Sequence, residues 1–465
     1  MSRMPHRSRA STWIVFAATA ALLLGGCTTI APTSSVTAPV ESRNSAVQQA
    51  RDLARANATL ADAARADNDR QIERLLSALD NATLAAEAAR LPAGDPLYNY
   101  AGRALQRRGL PLPRPFDRGD AWRFDAGNRP PADRDGYRPP VKVAMLLPLS
   151  GSMATATAPV RDGFLAGYYG ETRRRPEIVF YDTQGNAGGT LAAYERATAE
   201  GSDFVVGPLG RDEVSALFNR PALPVPVLAL NRGSVAPPSG HASFSLAPED
   251  EGIAAAEFLL ERNARRVLVI AGDDDGQRRA VASLRERLAE RGATVTDTVG
   301  EGTGDLTPFA QKEGGVDAVF IATRAASART LMPKLALAGL AGKPRVATSQ
   351  LLAGTGKPAE DRVLDGIAFP GETWTLRGTR GLPSATSAGM MLPTAKGPAA
   401  RLFAFGFDAW QLTAYLERLA TTADGAVEGA TGVLRMDGFG VVQRTPAWST
   451  FSGGVAVPLA DAARR

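Results

Sequence analysis

The sequence predicts an α/β protein in which two doubly wound parallel sheets follow a small all-α helical module. Three observations support this class. From Val141 onward, short β-rich apolar runs alternate with amphipathic helical patterns, as in parallel sheets covered by helices. The alternation restarts after Pro248, which predicts two lobes in series. Residues 45–109 are rich in alanine, leucine, arginine and aspartate with few β-branched residues, and therefore predict helices alone.

The N-terminus has the pattern of a lipoprotein signal peptide over residues 1–26. Three arginines precede an apolar run from Thr12 to Leu24 that is too short for a comfortable membrane span. Leu24-Gly25-Gly26-Cys27 follows and resembles the bacterial lipobox, and Cys27 is the only cysteine of the chain. We expect the mature chain to begin at lipidated Cys27. An ordinary secretory signal with a coincidental cysteine is the alternative.

A predicted flexible tether precedes the helical module, and a predicted stiff linker follows it. Residues 27–44 are small and polar and predict a flexible tether. In residues 45–109, apolar residues at helical spacing predict two or three helices, the last ending near Gly109. Residues 110–140 contain seven prolines and predict a stiff linker, with Trp122 and Phe124 packed on a neighbouring domain.

The elements of the two lobes follow from the alternation of runs. The predicted strands are 141–147, 178–181, 204–206, 225–229, 267–270, 316–321 and 345–348. The predicted helices are 158–169, 190–200, 212–218, a helix opening at Pro248, 277–291 and 326–338.

Composition narrows the class of protein. The 465 residues are 44% hydrophobic and 22% charged, an ordinary globular balance. The formal charge of +5 falls to +2 once Arg3, Arg7 and Arg9 leave with the signal peptide (5 − 3), so nucleic-acid binding has little support. A single cysteine excludes a disulfide within the chain.

Ordered segments from residue 142 onward resemble type I periplasmic binding proteins and, more narrowly, the LpoA-type (LppC) family of penicillin-binding protein activator lipoproteins. The segments are KVAMLLPLSG (142–151), RDGFLAGYY (161–169), YDTQGN (181–186), EGSDFVVGPLGRDEV (200–214), PVLALN (226–231), LAPEDEG (246–252), GDDDGQR (272–278), RLFAFGFDAWQL (401–412) and EGATGVLRMDGFG (428–440). No single segment is diagnostic, but their ordered set is specific.

The resemblance implies a two-lobed periplasmic-binding-protein-like domain over residues 141–465. Lobe 1 would take about 141–246 and 370–428, and lobe 2 about 247–369 and 429–465, with crossings near 244–248, 366–371 and 429–435. The family's usual N-terminal domain is a longer helical-repeat array than residues 45–109 provide.

The resemblance also implies a function. It describes a non-catalytic lipoprotein anchored in the outer membrane and facing the periplasm, which binds a class A penicillin-binding protein and activates peptidoglycan synthesis. Peptidoglycan is a candidate second partner. The alternative is a solute-binding lipoprotein of an ABC importer, with an amino-acid-like ligand. A sensory or scaffold protein is a third, weaker hypothesis.

Three loops at the carboxyl ends of lobe 1 strands are the candidate cleft residues, because ligands in such sheets bind there. They contain Ser150, Gly151 and Ser152, then Gly207, Pro208 and Leu209, then Asn231 and Arg232. Amino-acid-binding relatives typically use Ser or Thr hydroxyls in the second and third loops, and the second loop here has none. These residues either hold a small ligand or only turn the chain, and the second interpretation is favoured.

Other candidate residues have simpler structural interpretations. Asp273-Asp274-Asp275-Gly276 lacks the downstream acid of a calcium loop and predicts a helix cap, so we expect no metal and no cofactor. His241 in a Pro/Gly/Ser-rich loop has no nucleophile to serve, so we expect no enzyme activity. Trp374 is the candidate exposed partner contact, whereas the aromatic cluster in 401–412 is expected to be core.

Overall fold

A computed structural model describes residues 44–60, 62–117 and 129–459. The predicted signal peptide, the lipidated Cys27, all of the tether but Asn44, and both Trp122 and Phe124 lie outside this range. No helix in the described residues is both long and apolar enough to cross a membrane.

The N-terminal described residues form the helical module. It contains four helices within the described range, one more than the upper number expected: α1 (Ser45–Ala56), α2 (Asp62–Ser77), α3 (Asn81–Arg90) and α4 (Tyr98–Arg107). The side chains of Asn44 and Asp80 cap α1 and α3 by accepting hydrogen bonds from first-turn amides. The helices enclose their own apolar core, and a buried ion pair of Arg51 with Asp95, 2.5 Å long, joins α1 to the segment between α3 and α4.

The proline-rich segment packs on folded structure at both of its described ends, and the stiff linker over residues 110–140 stays a prediction. Arg114 lies over the ring of Tyr98, 3.5 Å from its centroid, and Phe116 is buried beside α4. At the other end, Arg138 donates two hydrogen bonds to Glu417, and Tyr137 is buried. Proline content indicated local stiffness, but the neighbours that hold these residues come from distant parts of the chain.

The first lobe is built on a five-stranded parallel sheet. Its elements are β1 (Lys142–Leu147), α5 (Ala154–Gly170), β2 (Glu177–Asp182), α6 (Ala187–Ala199), β3 (Phe204–Val206), α7 (Arg211–Phe218), β4 (Val227–Ala229) and β5 (Ala242–Ser243). The strands lie in the order β2-β1-β3-β4-β5. The strands are short and mostly buried, and apolar clusters lie on both faces of the sheet, as expected where helices cover both sides.

The second lobe repeats the pattern. Its elements are α8 (Pro248–Leu260), β6 (Arg266–Ala271), α9 (Asp275–Glu290), β7 (Thr294–Gly300), α10 (Thr307–Ala310), β8 (Ala318–Ala322), α11 (Ala325–Leu337), β9 (Arg345–Ala347), α12 (Pro358–Asp361) and β10 (Ile367–Gly371). The sheet order is β15-β14-β10-β9-β8-β6-β7, in which β14 (Ala447–Ser452) and β15 (Val455–Pro458) are antiparallel additions from the C-terminal part of the chain.

The chain returns to the first lobe after β10. The returning elements are α13 (Thr373–Arg377), α14 (Ala385–Met391), α15 (Ala399–Thr421), β11 (Val427–Glu428), β12 (Val433–Met436) and β13 (Val442–Thr445), and the chain then enters the second lobe with β14 (Ala447–Ser452) and β15 (Val455–Pro458). The fold class predicted from the sequence is confirmed: two parallel-sheet lobes follow a helical module.

The last crossing does not lie near 429–435, so residues 429–445 do not belong to the second lobe as expected. Leu434, Met436 and Val442 join the apolar core of the first lobe, and Ser243 donates a backbone hydrogen bond to Gly440. The chain changes lobes between Thr445 and Ala447. The alternating burial of β12 was compatible with either lobe, and only the pairing partners decide between them.

Two helices of the first lobe cross with their backbones in contact. A Cβ atom added at Gly163 in α5 would lie 1.9 Å from the carbonyl oxygen of Phe403 in α15. A Cβ added at Gly406 would lie 1.9 Å from the carbonyl oxygen of Val160. Because each glycine faces the other helix's backbone, α15 lies close enough to bury its aromatic side chains on both sides.

The helical module is seated directly on the two lobes. The turn after β12 inserts Phe439 between Tyr100, at 4.7 Å between ring centroids, and the guanidinium of Arg103, at 4.2 Å. Residues 106–109 of the module, α8 of the second lobe and residues 443–446 together line a cavity of about 210 Å³. The module therefore meets both lobes where the chain crosses between them.

Candidate functional site in the cleft between the lobes

The first candidate loop donates its amides to the protein itself. Asp182, the last residue of β2, accepts hydrogen bonds from the amides of Leu149 and Ser150 at 2.9 and 3.3 Å. A hydrogen bond from the Ser150 side chain, together with these amides, holds the pKa of Asp182 below its usual range. Ser150, Gly151 and Ser152 are exposed, and of these three the amide of Ser150 already has a carboxylate partner.

The second candidate loop turns the chain tightly. Gly207 has φ of +102°, and a Cβ there would lie 2.0 Å from the carbonyl oxygen of Leu146. Pro208 is buried, Leu209 packs into the first-lobe core, and the amide of Gly210 donates to Glu213 at 2.6 Å. Pro208 and Leu209 are therefore packed inside the first lobe, and whether this loop also holds a ligand stays open.

The third candidate loop reaches the other lobe. The Asn231 amide donates to the carbonyl of Leu209 at 2.8 Å, so the structure brings the second and third loops together. Arg232 donates to both carboxylate oxygens of Asp250, at 2.9 and 2.7 Å, in the first turn of α8. This ion pair connects the first lobe to the second.

A buried cluster centred on Arg401 joins the lobes a second time. Arg401 of α15 contacts Glu251 of α8 at 2.5 Å and Glu372, directly after β10, at 3.2 Å. Glu251 also accepts hydrogen bonds from the amide and the hydroxyl of Ser349, both at 2.8 Å. Arg401 donates to the same hydroxyl.

The charges in this cluster are balanced. Burial opposes ionisation of Glu251, but Arg401, Arg444 and the hydrogen bonds from Ser349 outweigh it, so the pKa of Glu251 lies below its usual range. Burial also opposes the charge of Arg401, yet Glu251 and Glu372 raise the pKa of its guanidinium. Arg444 is half-buried, and desolvation with the repulsion of Arg401 lowers the pKa of its guanidinium.

Sequence reasoning missed this cluster. Glu251 and Arg401 each lie in a segment that carried the family resemblance, but 150 residues separate them. A single sequence offers no pairing signal over that distance. The only available hint was an acid in the first turn of α8, which also has a simpler explanation in the helix dipole.

A large groove opens beside the cluster. It encloses about 1090 Å³ at the carboxyl ends of β8, β9 and β10. One wall is formed by Arg324 and residues 349–355, and the other by residues from 385 to 401. We call it the interlobe groove. None of the candidate loop residues lines it.

Trp374 is not an exposed contact, so that prediction is wrong. The side chain is 1% exposed, stacks on Phe403 at 5.2 Å between ring centroids, and donates from Nε1 to the carbonyl of Pro383 at 2.8 Å. The position after a crossing suggested the surface, but α13 folds back under α15. The cluster of Phe403, Phe405, Phe407 and Trp410 is buried, as predicted.

The remaining candidates have structural roles. Asp274 caps α9 by accepting from the amide of Gln277 at 2.9 Å, which confirms the predicted cap. His241 is buried, and its Nδ1 accepts a hydrogen bond from the amide of Val227. Across the described ranges, no group of three or more His, Cys, Asp or Glu side chains could hold a metal ion.

The two parallel-sheet lobes, joined by several crossings, define a periplasmic-binding-protein-like domain. A structure of a "putative branched-chain amino acid ABC transporter" from Chromobacterium violaceum matches it with a TM-score of 0.55 and 27% identity, over 67% of this chain and all (100%) of that one. The family model described as "LppC putative lipoprotein" matches residues 137–299 and 302–454, so the chain belongs to the LppC family.

The relatives and structures that this chain resembles agree with that assignment. The penicillin-binding protein activator LpoA of Photobacterium profundum is 27% identical over 357 residues, which is 69% of this chain and 57% of the relative. LpoA of Vibrio vulnificus is 27% identical over 66% of this chain and 57% of its own length. The chain thus spans a little over half the length of these curated relatives.

Two solved structures share the fold. The C-domain of Haemophilus influenzae LpoA, "a regulator of PBP1A", matches with a TM-score of 0.59 and 22% identity over 68% of this chain and 99% of that one. Full-length LpoA from the same organism matches with a TM-score of 0.60 and 19% identity, over 88% of this chain and 79% of that one.

Proposed function

We propose that this protein is a non-catalytic outer-membrane lipoprotein that binds a class A penicillin-binding protein and raises its rate of peptidoglycan synthesis. The observation that carries the proposal is the LppC match along both halves of the two-lobed domain, together with curated relatives named as activators over 69% of the chain. Activation requires that the protein bind the active conformation of the synthase more tightly than the inactive one.

The cleft supports a binding role rather than solute transport. Solute-binding proteins close their lobes around a ligand by a hinge motion. Here the pairs Arg232–Asp250 and Arg401–Glu251 join the lobes through the protein's own side chains. Both pairs would have to break before the lobes could separate, so they hold the cleft in its present arrangement.

Binding and synthesis are measured together. The chain from residue 27, with Cys27→Ser to keep it soluble, is titrated against a purified class A synthase, and glycan polymerisation and peptide crosslinking are followed. Saturable binding with a rise in either rate is expected. Neither binding nor a rise, with the full mature chain including its helical module, would refute the activator function.

The importer alternative has a specific observation in its favour, the match to the Chromobacterium structure. It predicts that amino acids raise the thermal unfolding temperature of the protein, because a ligand that binds only the folded state stabilises it. The missing hydroxyl in residues 207–210 argues against it. A stabilising shift with an amino acid, in a protein that fails to bind the synthase, would favour the importer.

Anchoring rests on the lipobox-like sequence before Cys27 and on membership of a lipoprotein family. Cys27→Ser is expected to abolish palmitate labelling and to release the protein from the membrane fraction. Thr28→Asp is the matched control, since an aspartate after the cysteine is expected to keep the label but retain the protein in the inner membrane. Label on the Cys27→Ser protein would contradict lipidation at this residue.

A further inference from the structure

The interlobe groove carries two positive charges without partners. Arg324, at the start of α11, and Lys396, on the opposite wall, make no side-chain hydrogen bond or ion pair with any described residue. The groove's one lining carboxylate, Glu372, is already paired with Arg401. The groove therefore has an uncompensated positive potential that an acidic group would neutralise.

The same wall presents exposed apolar side chains. Met390 lines the groove and is 78% exposed, and Met391 beside it is 66% exposed. These two neighbouring methionines form an exposed apolar patch, and methionine adapts its shape to a partner surface. The groove thus has a cation on each wall beside a flexible apolar rim. Such a combination suits the binding of a protein partner.

The size of the groove favours a polypeptide. Its volume of about 1090 Å³ is at the upper limit of roughly 300–1000 Å³ that small-molecule pockets have. It is bounded by the first lobe on one side and the second on the other, so an occupant would contact both.

We propose that the interlobe groove is the docking site for an acidic and apolar segment of the partner synthase, whose carboxylates pair with Arg324 and Lys396 and whose apolar side chains pack on Met390. The inference rests on the proposed function and adds to it the surface of contact. Because the groove joins both lobes, the docked segment would also hold their relative orientation.

Charge reversal tests this surface. Arg324→Glu, Lys396→Glu and their double variant are titrated against the synthase, with Lys343→Glu as the matched control. Lys343 is exposed and precedes β9, so it lies at the edge of the sheet opposite the groove. Met390→Glu is paired with Leu337→Glu, since Leu337 is 86% exposed at the far end of α11. Each groove variant is expected to weaken binding by about ten-fold or more, and the control variants to leave it unchanged.

Wild-type affinity should also fall with added salt, and the double variant should lose most of that dependence. The outcomes separate the two proposals. If the wild-type protein does not bind the synthase, the proposed function fails and the docking site with it. If it binds and the groove variants bind equally well, the docking site is refuted while the function stands. The docking site is also refuted if the groove variants bind the synthase normally and change only the protein's self-association, measured by ultracentrifugation. It is likewise refuted if they change only the stabilisation of the protein by a small organic acid such as citrate.

Discussion

At the scale of single residues, His241 links stability to pH. Its Nδ1 accepts a hydrogen bond from the amide of Val227 at 3.1 Å, and burial lowers its pKa to about 4 from an ordinary value of 6.5. The unfolded chain therefore binds a proton between pH 6.5 and 4 that the folded chain does not. The contribution of His241 to the free energy of unfolding is fully present above pH 6.5. It is lost as the pH falls through this window, by about 3 kcal/mol in total.

We expect the free energy of unfolding to fall between pH 6.5 and 4 in urea titrations, and the His241→Asn variant to show a shallower fall. The asparagine Oδ1 can accept the same hydrogen bond but does not titrate. All carboxyl groups are common to both proteins, so the difference between the two slopes isolates the imidazole. Parallel slopes would contradict the prediction.

The residue scale is also where sequence reasoning was least complete. The candidate loops do lie at strand ends, but the partners of Ser150 and Arg232 are Asp182 and Asp250, which no spacing in the sequence connects to them. Trp374 was placed on the surface because it follows a crossing, whereas its burial is decided by Phe403 and Pro383. Pairing between distant residues is fixed by the tertiary fold, and a single sequence does not contain it.

At the scale of secondary-structure elements, the crossing of α5 with α15 depends on glycine. Gly406→Ala would place a methyl group 1.9 Å from the Val160 carbonyl oxygen, so the helices must separate. Overpacking of this kind costs about 1–3 kcal/mol. Thermal or urea unfolding should show that loss. Gly188→Ala in α6 is the control, because a Cβ there has its nearest neighbour at 3.5 Å. That substitution should be neutral or slightly stabilising, and equal losses in both variants would refute the close-contact explanation.

Elements were predictable where a pattern is local. β3 occupies Phe204–Val206 as predicted, because a short run of buried apolar residues needs no partner to be recognised. β7 was not predicted. It is an edge strand that alternates threonine with valine or aspartate over Thr294–Gly300, so it lacks a continuous apolar run. Its strand character depends on pairing with β6.

At the scale of the whole molecule, the helical module packs directly on the two lobes and is not held away from them by a spacer. The described parts of the proline-rich segment are docked, and the helical module contacts the lobes through the turn 437–440. The helices of the module have a core of their own, so the module can stay folded when its contacts with the lobes are lost. The module's orientation relative to the lobes is therefore set by the contacts of a few side chains, with Phe439 at their centre.

Phe439→Ala should detach the module without unfolding it. The variant removes the ring that Tyr100 and Arg103 hold, and losing both contacts costs about 2 kcal/mol. Hydrogen exchange should then become faster on the face of α4 and in residues 437–440, while the amides inside both sheets keep their protection.

Phe309→Ala is the control, because Phe309 is also half-buried but packs on the second-lobe core far along the chain from the module. If α4 exchanges at the wild-type rate in the Phe439→Ala protein, the turn is not what holds the module, and its other contacts must carry its orientation. If the exchange rises, the module's position is an adjustable feature of the protein, and synthase activation by the same variant will show whether that position matters for function.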